Sequence, residues 1–132
     1  MTPKCCAALA VVGVLVGAPV WAHHSLQAQF DVNKLLTLKG LITKVEWGNP
    51  HVYVYLDVTD GHGTVSKWAF ETLGTGMLQR GGITKQRLGV GQKVTVVAYH
   101  AKDGLNLGFV RKITFSDGHD VVIWIGDPAK AP

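Results

Sequence analysis

Between residues 36 and 58 the apolar positions follow the two-residue period of β-strands. In "LLTLKGLITKVEW" the apolar side chains first take even positions and then odd ones, which predicts a strand with a bulge or kink at Gly40. On this reading the inward residues are Leu36, Leu38, Leu41, Val45 and Trp47. In "HVYVYLDV" the valines and Leu56 alternate with His51, Tyr53 and Tyr55, so we expect the apolar set to face the core and the other set to face outward.

The remaining segments continue as strands separated by glycine-rich turns. "VSKWAFET" follows the "DGHG" turn and predicts a hairpin that places Glu71 opposite His51 or Tyr53, on the outer face. Residues 77–80 interrupt the pattern with one or two helical turns, and "KVTVVAYH", "NLGFVRKITF" and "HDVVIWI" are further strands. The order predicts an all-β protein, a small five- to six-stranded OB-like barrel with one short helix after the third strand. An immunoglobulin-like sandwich is the alternative, but it needs about seven strands. The expected core includes Val52, Val54, Leu56, Trp68, Phe70, Val94 and Val96.

The first 22 residues are typical of a secretory signal peptide. Lys4 precedes a long apolar run, and small residues stand at the −3 and −1 positions of a cleavage site after Ala22. A retained membrane anchor is the alternative, and Pro19 and the cleavage site argue against it. We therefore expect a periplasmic or secreted bacterial protein. Its predicted organisation is a signal peptide (1–22), an N-terminal arm (23–35), one β-barrel domain (36–126) and a flexible tail (127–132).

Composition narrows the chemistry of the mature chain. Both cysteines lie in the predicted signal peptide, so the fold would use neither disulfides nor thiolate metal sites. The chain carries 13 Lys and Arg against 9 Asp and Glu, and its basic residues are scattered rather than grouped in a stripe. This distribution predicts no nucleic-acid partner, and we expect no membrane contact after cleavage.

Cleavage after Ala22 would make His23 the N-terminal residue, followed directly by His24. A terminal histidine can offer its free amine and its ring Nδ1 to one metal ion, and a second imidazole completes a T-shaped set of three nitrogens. Such a histidine brace suits Cu(II), which prefers square or tetragonal nitrogen coordination. The alternative is that two polar residues simply follow a cleavage site on a solvated tail.

A second candidate site surrounds "EWGNPHVYVY". Asn49-Pro50 favours a turn that ends one strand and begins the next, with His51 at the strand start. The outward row from His51 onward is aromatic, which is an unusual choice for plain solvation. Cross-strand packing explains it equally well. The candidate metal ligands are His23, His24, His51 and Glu71, and the candidate ligand-binding residues are Trp47, Asn49, Tyr53 and Tyr55.

The segments "AHHS", "FD", "LKGLITKVEWGNPHVYVYLDV", "WAFE", "LQRGGITKQRLGVGQKVTV" and "KDG" resemble DUF6152, a family of secreted bacterial proteins of unknown function. The likeness covers essentially the whole mature chain. This sequence departs from the family pattern at Ile83, where Trp is common, and at Gln92, where Asp is common. The resemblance implies a small β-barrel outside the cytoplasm and supplies no activity. The motif residues are His23, His24, Ser25, Trp47, Asn49, Pro50, His51, Trp68 and Glu71.

Three functions remain after these observations. The first is Cu(II) binding by the N-terminal amine and His23, completed by His24 or His51, with Glu71 as a weak axial ligand or as a partner of a ligand. The second is a metal-free binding module whose aromatic face holds a small ligand, a glycan or a partner protein. An enzyme ranks third, because no nucleophile with a base and no paired-carboxylate set is visible.

Overall fold

The structure, a computed structural model, describes residues 26–123. The predicted signal peptide, His23, His24 and the predicted tail lie outside this range. In the described chain no helix is long and apolar enough to cross a membrane. The elements in chain order are α1 (Leu26–Gln29), β1 (Phe30–Glu46), β2 (Tyr53–Thr59), β3 (Val65–Glu71), α2 (Thr75–Arg80), β4 (Lys93–Ala101), β5 (Leu107–Phe115) and β6 (Asp120–Val122).

Five of the strands close into a ring. β1 pairs antiparallel with β2 on one side and with β4 on the other, β2 pairs with β3, and β4 pairs with β5. A short parallel pairing between β3 and β5 completes the ring, and β6 extends the sheet beside β5. The arrangement confirms the predicted all-β, OB-like class with a short helix after the third strand. A second short helix, α1, precedes β1 and was not predicted.

The long first strand changes partner where the sequence predicts an irregularity. β1 pairs with β4 up to Leu41 and with β2 from Leu41 onward. Gly40 lies at this crossing, and a Cβ there would stand 2.8 Å from the carbonyl oxygen of Asp57. The register shift against β2 falls between Ile42 and Lys44 rather than at Gly40. The prediction that Leu41 faces inward is therefore wrong: Leu41 is exposed and Ile42 is fully buried, because the inward phase persists until this bulge.

The core forms inside the ring, and six of the seven residues predicted for it are buried, namely Val52, Val54, Leu56, Phe70, Val94 and Val96. The exception is Trp68, which is only partly buried. β5 covers β3 only from Ala69 onward, so the indole lies just before the paired stretch. It packs on Phe70 at 5.9 Å and on His100 at 5.6 Å between ring centroids.

Part of the predicted N-terminal arm belongs to the fold. β1 begins at Phe30, several residues before the sequence pattern placed its start, and Phe30 and Leu26 are both buried in the core. The ring of Phe30 lies 5.7 Å from that of Phe109 in β5. Since Phe109 is the β5 partner of Glu71, the beginning of β1 lies close to the end of β3.

Candidate functional site

The turn between β1 and β2 is fastened to α2. The peptide bond between Asn49 and Pro50 is cis. The Asn49 side-chain oxygen accepts hydrogen bonds from the backbone N–H of Thr75 at 3.0 Å and from its hydroxyl at 3.2 Å. Gly74, the N-cap residue, has no side chain to supply such an acceptor. The sequence predicts that Asn49 binds a ligand, but its side-chain oxygen thus already accepts two hydrogen bonds within the fold.

Backbone and hydroxyl contacts extend the β2–β3 hairpin beyond its strands. The Val52 N–H donates to the carbonyl of Leu73 at 3.1 Å, and the Thr72 N–H donates to the carbonyl of Val52 at 2.9 Å. The Thr72 hydroxyl adds a third bond, to the same Val52 carbonyl at 3.0 Å. Thr72 is fully buried, so these contacts hold its own carbonyl in a defined position beside His51.

One ring nitrogen of His51, Nδ1, contacts other groups of the fold. Its Nδ1 lies 2.7 Å from the carbonyl oxygen of Thr72 and 3.2 Å from Oε1 of Glu71. A carbonyl oxygen can only accept, so Nδ1 carries the hydrogen. In the neutral ring the lone pair is then on Nε2, the nitrogen available to a ligand. The His51 side chain is 23% exposed.

Glu71 joins His51 to the adjacent tyrosine. Glu71 pairs with Tyr53 across the hairpin, one of the two partners that strand parity predicts. Its Oε2 accepts a hydrogen bond from the Tyr53 hydroxyl at 3.0 Å, while Oε1 contacts His51. The Glu71 side chain is 11% exposed, far less than is usual for a surface carboxylate. The structure therefore brings together His51, Tyr53 and Glu71, which we call the His–Glu–Tyr cluster.

Tyr53 acts as a hydrogen-bond donor over the whole neutral range. Burial, with a further contribution from the charge of Glu71, raises the pKa of Tyr53 to about 12. The phenol consequently stays protonated and keeps its hydrogen bond to the carboxylate.

A second group of contacts, around Tyr55, lies next to the His–Glu–Tyr cluster on the outer face of β2. The Tyr55 hydroxyl donates to Oε2 of Glu46 at 3.0 Å, and the Lys44 ammonium binds the other oxygen of Glu46. The same ammonium lies 5.0 Å from the centroid of the Tyr55 ring. The hydrogen bond from Lys44, followed by that from Tyr55, lowers the pKa of Glu46, and burial raises the pKa of Tyr55.

An open pocket of about 380 Å³ lies in front of the β1–β2 turn. Trp47, which packs partly against the core, contributes to its wall. The pocket is lined by Glu46, Trp47, Gly48, Asn49, Pro50, His51 and Tyr53. Of the predicted ligand-binding residues, Trp47, Asn49 and Tyr53 line this pocket, and Tyr55 lines a second pocket together with Trp68 and Ala69.

No three His, Cys, Asp or Glu side chains within residues 26–123 are grouped closely enough to hold a metal ion. His51 and Glu71 meet as a pair, and the other two predicted ligands, His23 and His24, lie outside these residues. His100 is used by the fold, since its Nε2 lies 3.0 Å from the Leu105 carbonyl oxygen. The contact that sequence reasoning missed is the Thr72 carbonyl, because residue type and spacing say nothing about where a backbone oxygen points.

These features define a class of protein: a small ring of β-strands with an open pocket, at whose edge a histidine is fixed through its Nδ1 atom by a backbone carbonyl and a carboxylate. Residues 11–112, more than half of the chain, match DUF6152, a family of unknown function. The chain belongs to this family, which confirms the resemblance in its motifs. Among curated proteins, no match was found.

Proposed function

We propose that this protein binds Cu(II) outside the cytoplasm, once its signal peptide has been removed by cleavage after Ala22. The ligands are the new N-terminal amine and the ring of His23, completed by His24 or by Nε2 of His51. The observation that carries the proposal is the 2.7 Å contact between His51 Nδ1 and the Thr72 carbonyl. Metal-binding histidines almost always donate their second ring N–H to a carbonyl or a carboxylate, and His51 contacts one of each.

The path of the chain supports a role for the N-terminal histidines at His51. Glu71, which touches His51, pairs with Phe109, and the Phe109 ring contacts Phe30. His24 precedes Phe30 by six residues, four of which form α1, so only the two steps from His24 to Leu26 add reach, at most about 7 Å. The paired strands β3 and β5 are about 4.8 Å apart, so the start of β1, beside Phe109, lies near the end of β3.

The ligand types favour Cu(II) over Cu(I). The available donors are an amine and imidazoles, and both cysteines precede the predicted cleavage site. Met77 is the single methionine after that site, and its sulfur accepts a hydrogen bond from Arg80. Cu(I) prefers sulfur ligands, whereas Cu(II) is bound well by nitrogen.

The proposal is tested with the native N-terminus, because the free amine is one of the ligands. Cu(II) titration by calorimetry and electron paramagnetic resonance compares the chain beginning at His23 with a variant carrying one extra residue before it. We expect the extended variant to lose most of its Cu(II) affinity, although every side chain is retained. Binding releases protons from the amine and imidazoles, so affinity should fall steeply in acid.

A third protein, His51→Ala, separates the two versions of the ligand set. If His51 completes the site, its substitution weakens binding, and if His24 does, affinity is unchanged. Equal affinity of the native and extended chains would show that the amine is not a ligand. Absence of Cu(II) binding by the native chain would refute the metal function altogether.

The open pocket in front of His51 favours a second candidate, a metal-free binding module. Its wall combines Trp47, Pro50 and Tyr53 with the polar groups of Glu46 and His51, a mixture that suits a small ligand or a glycan. In that case a ligand identified in an NMR screen would shift the indole signal of Trp47 when it binds to copper-free protein. The Cu(II) titration of the native chain discriminates between the two candidates.

A further inference from the structure

We propose that the open pocket in front of the β1–β2 turn binds a neutral saccharide, whose adjacent hydroxyl groups bond to Nε2 of His51 and to the side-chain amide nitrogen of Asn49. This inference rests on the second candidate function, the metal-free binding module, and names the class of its ligand. Its observation is that the fold holds both polar groups by their opposite ends. The Thr72 carbonyl contacts Nδ1 of His51, and Thr75 donates twice to the Asn49 oxygen.

Nε2 of His51 is a hydrogen-bond acceptor in a fixed position. The hydrogen of the neutral ring is on Nδ1, which lies 2.7 Å from the Thr72 carbonyl oxygen and 3.2 Å from Oε1 of Glu71. The lone pair is then on Nε2. His51 lines the pocket and its side chain is 23% exposed, so a small molecule can reach it. A ligand that meets this nitrogen has to supply a donor.

Asn49 offers the opposite group, a hydrogen-bond donor. A backbone N–H can only donate, so the Asn49 atom that meets the Thr75 N–H is the oxygen. Both hydrogen bonds of Asn49 to other groups within residues 26–123 use this oxygen, and the NH₂ group is at the other end of the amide. Asn49 lines the same pocket as His51, and only Pro50 separates them along the chain. A ligand that meets this nitrogen has to supply an acceptor.

The rest of the pocket wall is rich in apolar rings. Trp47, Pro50 and Tyr53 all line it. Trp47 also packs partly against the core, which supports the position of its indole. Aromatic side chains provide a large, rigid contact area, and the C–H face of a sugar ring is flat and apolar enough to pack on them. The wall therefore suits a ring whose edge carries the polar groups.

The charges around the pocket favour an uncharged ligand. The Glu46 carboxylate is bonded by the Tyr55 hydroxyl and by the Lys44 ammonium, so its charge is balanced within the fold. Among the described residues that line the pocket there is no Lys or Arg to bind an anion. An ammonium ligand would donate to His51 but offer no acceptor to Asn49. Adjacent hydroxyl groups can donate and accept, so a saccharide satisfies both.

The test is an NMR titration of the copper-free chain beginning at His23, followed through the indole signal of Trp47. The probes are the neutral disaccharides maltose, cellobiose, lactose and N,N′-diacetylchitobiose. Asn49→Asp keeps an oxygen for Thr75 and replaces the amide donor with a second acceptor. Asn106→Asp is the matched control, because it makes the same change of charge at an exposed residue that lines a different pocket.

At least one of the disaccharides should bind the wild type and Asn106→Asp with equal affinity. Asn49→Asp should lose about 10-fold or more, the effect of one missing hydrogen bond together with an unpaired acceptor. His51→Ala should also weaken binding, because it removes the acceptor. Thermal unfolding checks that the three variants fold.

Three outcomes would overturn the inference. If none of the four disaccharides shifts the Trp47 signal, the pocket does not bind neutral saccharides. If Asn49→Asp and Asn106→Asp bind equally well, the Asn49 amide is not a contact. If cyclohexylammonium shifts the signal and the disaccharides do not, the pocket binds cations, so that the binding module stands without this ligand class. The Cu(II) titration is a separate measurement, and its result decides the copper function alone.

Discussion

At the scale of single residues, the outer face of β2 contains two tyrosines with different environments. Tyr53 donates to Glu71, which is nearly buried, and Tyr55 donates to Glu46, which is half exposed. Burial is the main cause of the higher pKa in both phenols, and the shift is large in Tyr53, whose pKa rises to about 12. The difference in burial makes the Tyr53 bond the more persistent of the two.

The raised pKa of Tyr53 predicts how stability changes in alkali. A phenol whose pKa is about 10 in the unfolded chain and about 12 in the folded one stabilises the fold fully below pH 10. That contribution is lost as the pH rises from about 10 to about 12. We expect the tyrosinate absorbance of the wild type, minus that of Tyr53→Phe, to show a transition near pH 12, and the variant to lose less stability across this window. A difference transition near pH 10 would contradict the burial argument.

At the scale of elements, α2 depends on a residue from a different part of the chain. Its N-cap, Gly74, has an ordinary negative φ, so glycine is required there by space rather than by backbone conformation. A Cβ at this position would lie 2.7 Å from both the Asn49 side-chain oxygen and the Pro50 carbonyl oxygen. The close approach allows Asn49 to accept from Thr75 and joins the β1–β2 turn to the helix.

Gly74→Ala should therefore destabilise the protein, by about 1–3 kcal/mol if the turn has to move. Gly76→Ala is the matched control: it lies in the same helix, and its Cβ would come no closer than 3.7 Å to Arg80. Since alanine favours helix over glycine, the control should gain up to about 1 kcal/mol. Urea unfolding measures both free energies. Equal effects of the two substitutions would show that the contact with the turn is unimportant.

At the scale of the whole molecule, the ring closes through the short parallel pairing of β3 with β5. Gly108 in β5 lies over Phe70 in β3, and a Cβ on Gly108 would stand 3.0 Å from the Phe70 ring and 3.0 Å from the Ala98 Cβ. The glycine lets the two strands approach while the phenylalanine fills the space beneath them. Phe70 is fully buried, unlike Trp68 on the same face of β3.

Truncation at these two positions tests where the core ends. Phe70→Ala should cost about 3–5 kcal/mol, the usual range for a buried aromatic side chain. Trp68→Ala should cost less despite the larger side chain, because part of the indole is already in water in the folded state. Denaturant unfolding of the two variants gives the order directly. A greater loss for Trp68→Ala would mean that the indole, and not Phe70, supports the closure.

The sequence by itself determined the strands, most of their inward faces and the placement of Glu71 opposite either His51 or Tyr53. These features follow from the two-residue period of a strand and from hairpin parity, which depend on neighbours along the chain. Tertiary structure decided the bulge after Ile42, the exposure of Trp68 and the buried start of β1 at Phe30. It also decided the chemistry around His51, where the Thr72 carbonyl binds Nδ1 and leaves Nε2 available. Contacts between segments distant in sequence set these features, because no local pattern of residues encodes the direction of a backbone carbonyl or the point where two strands stop pairing.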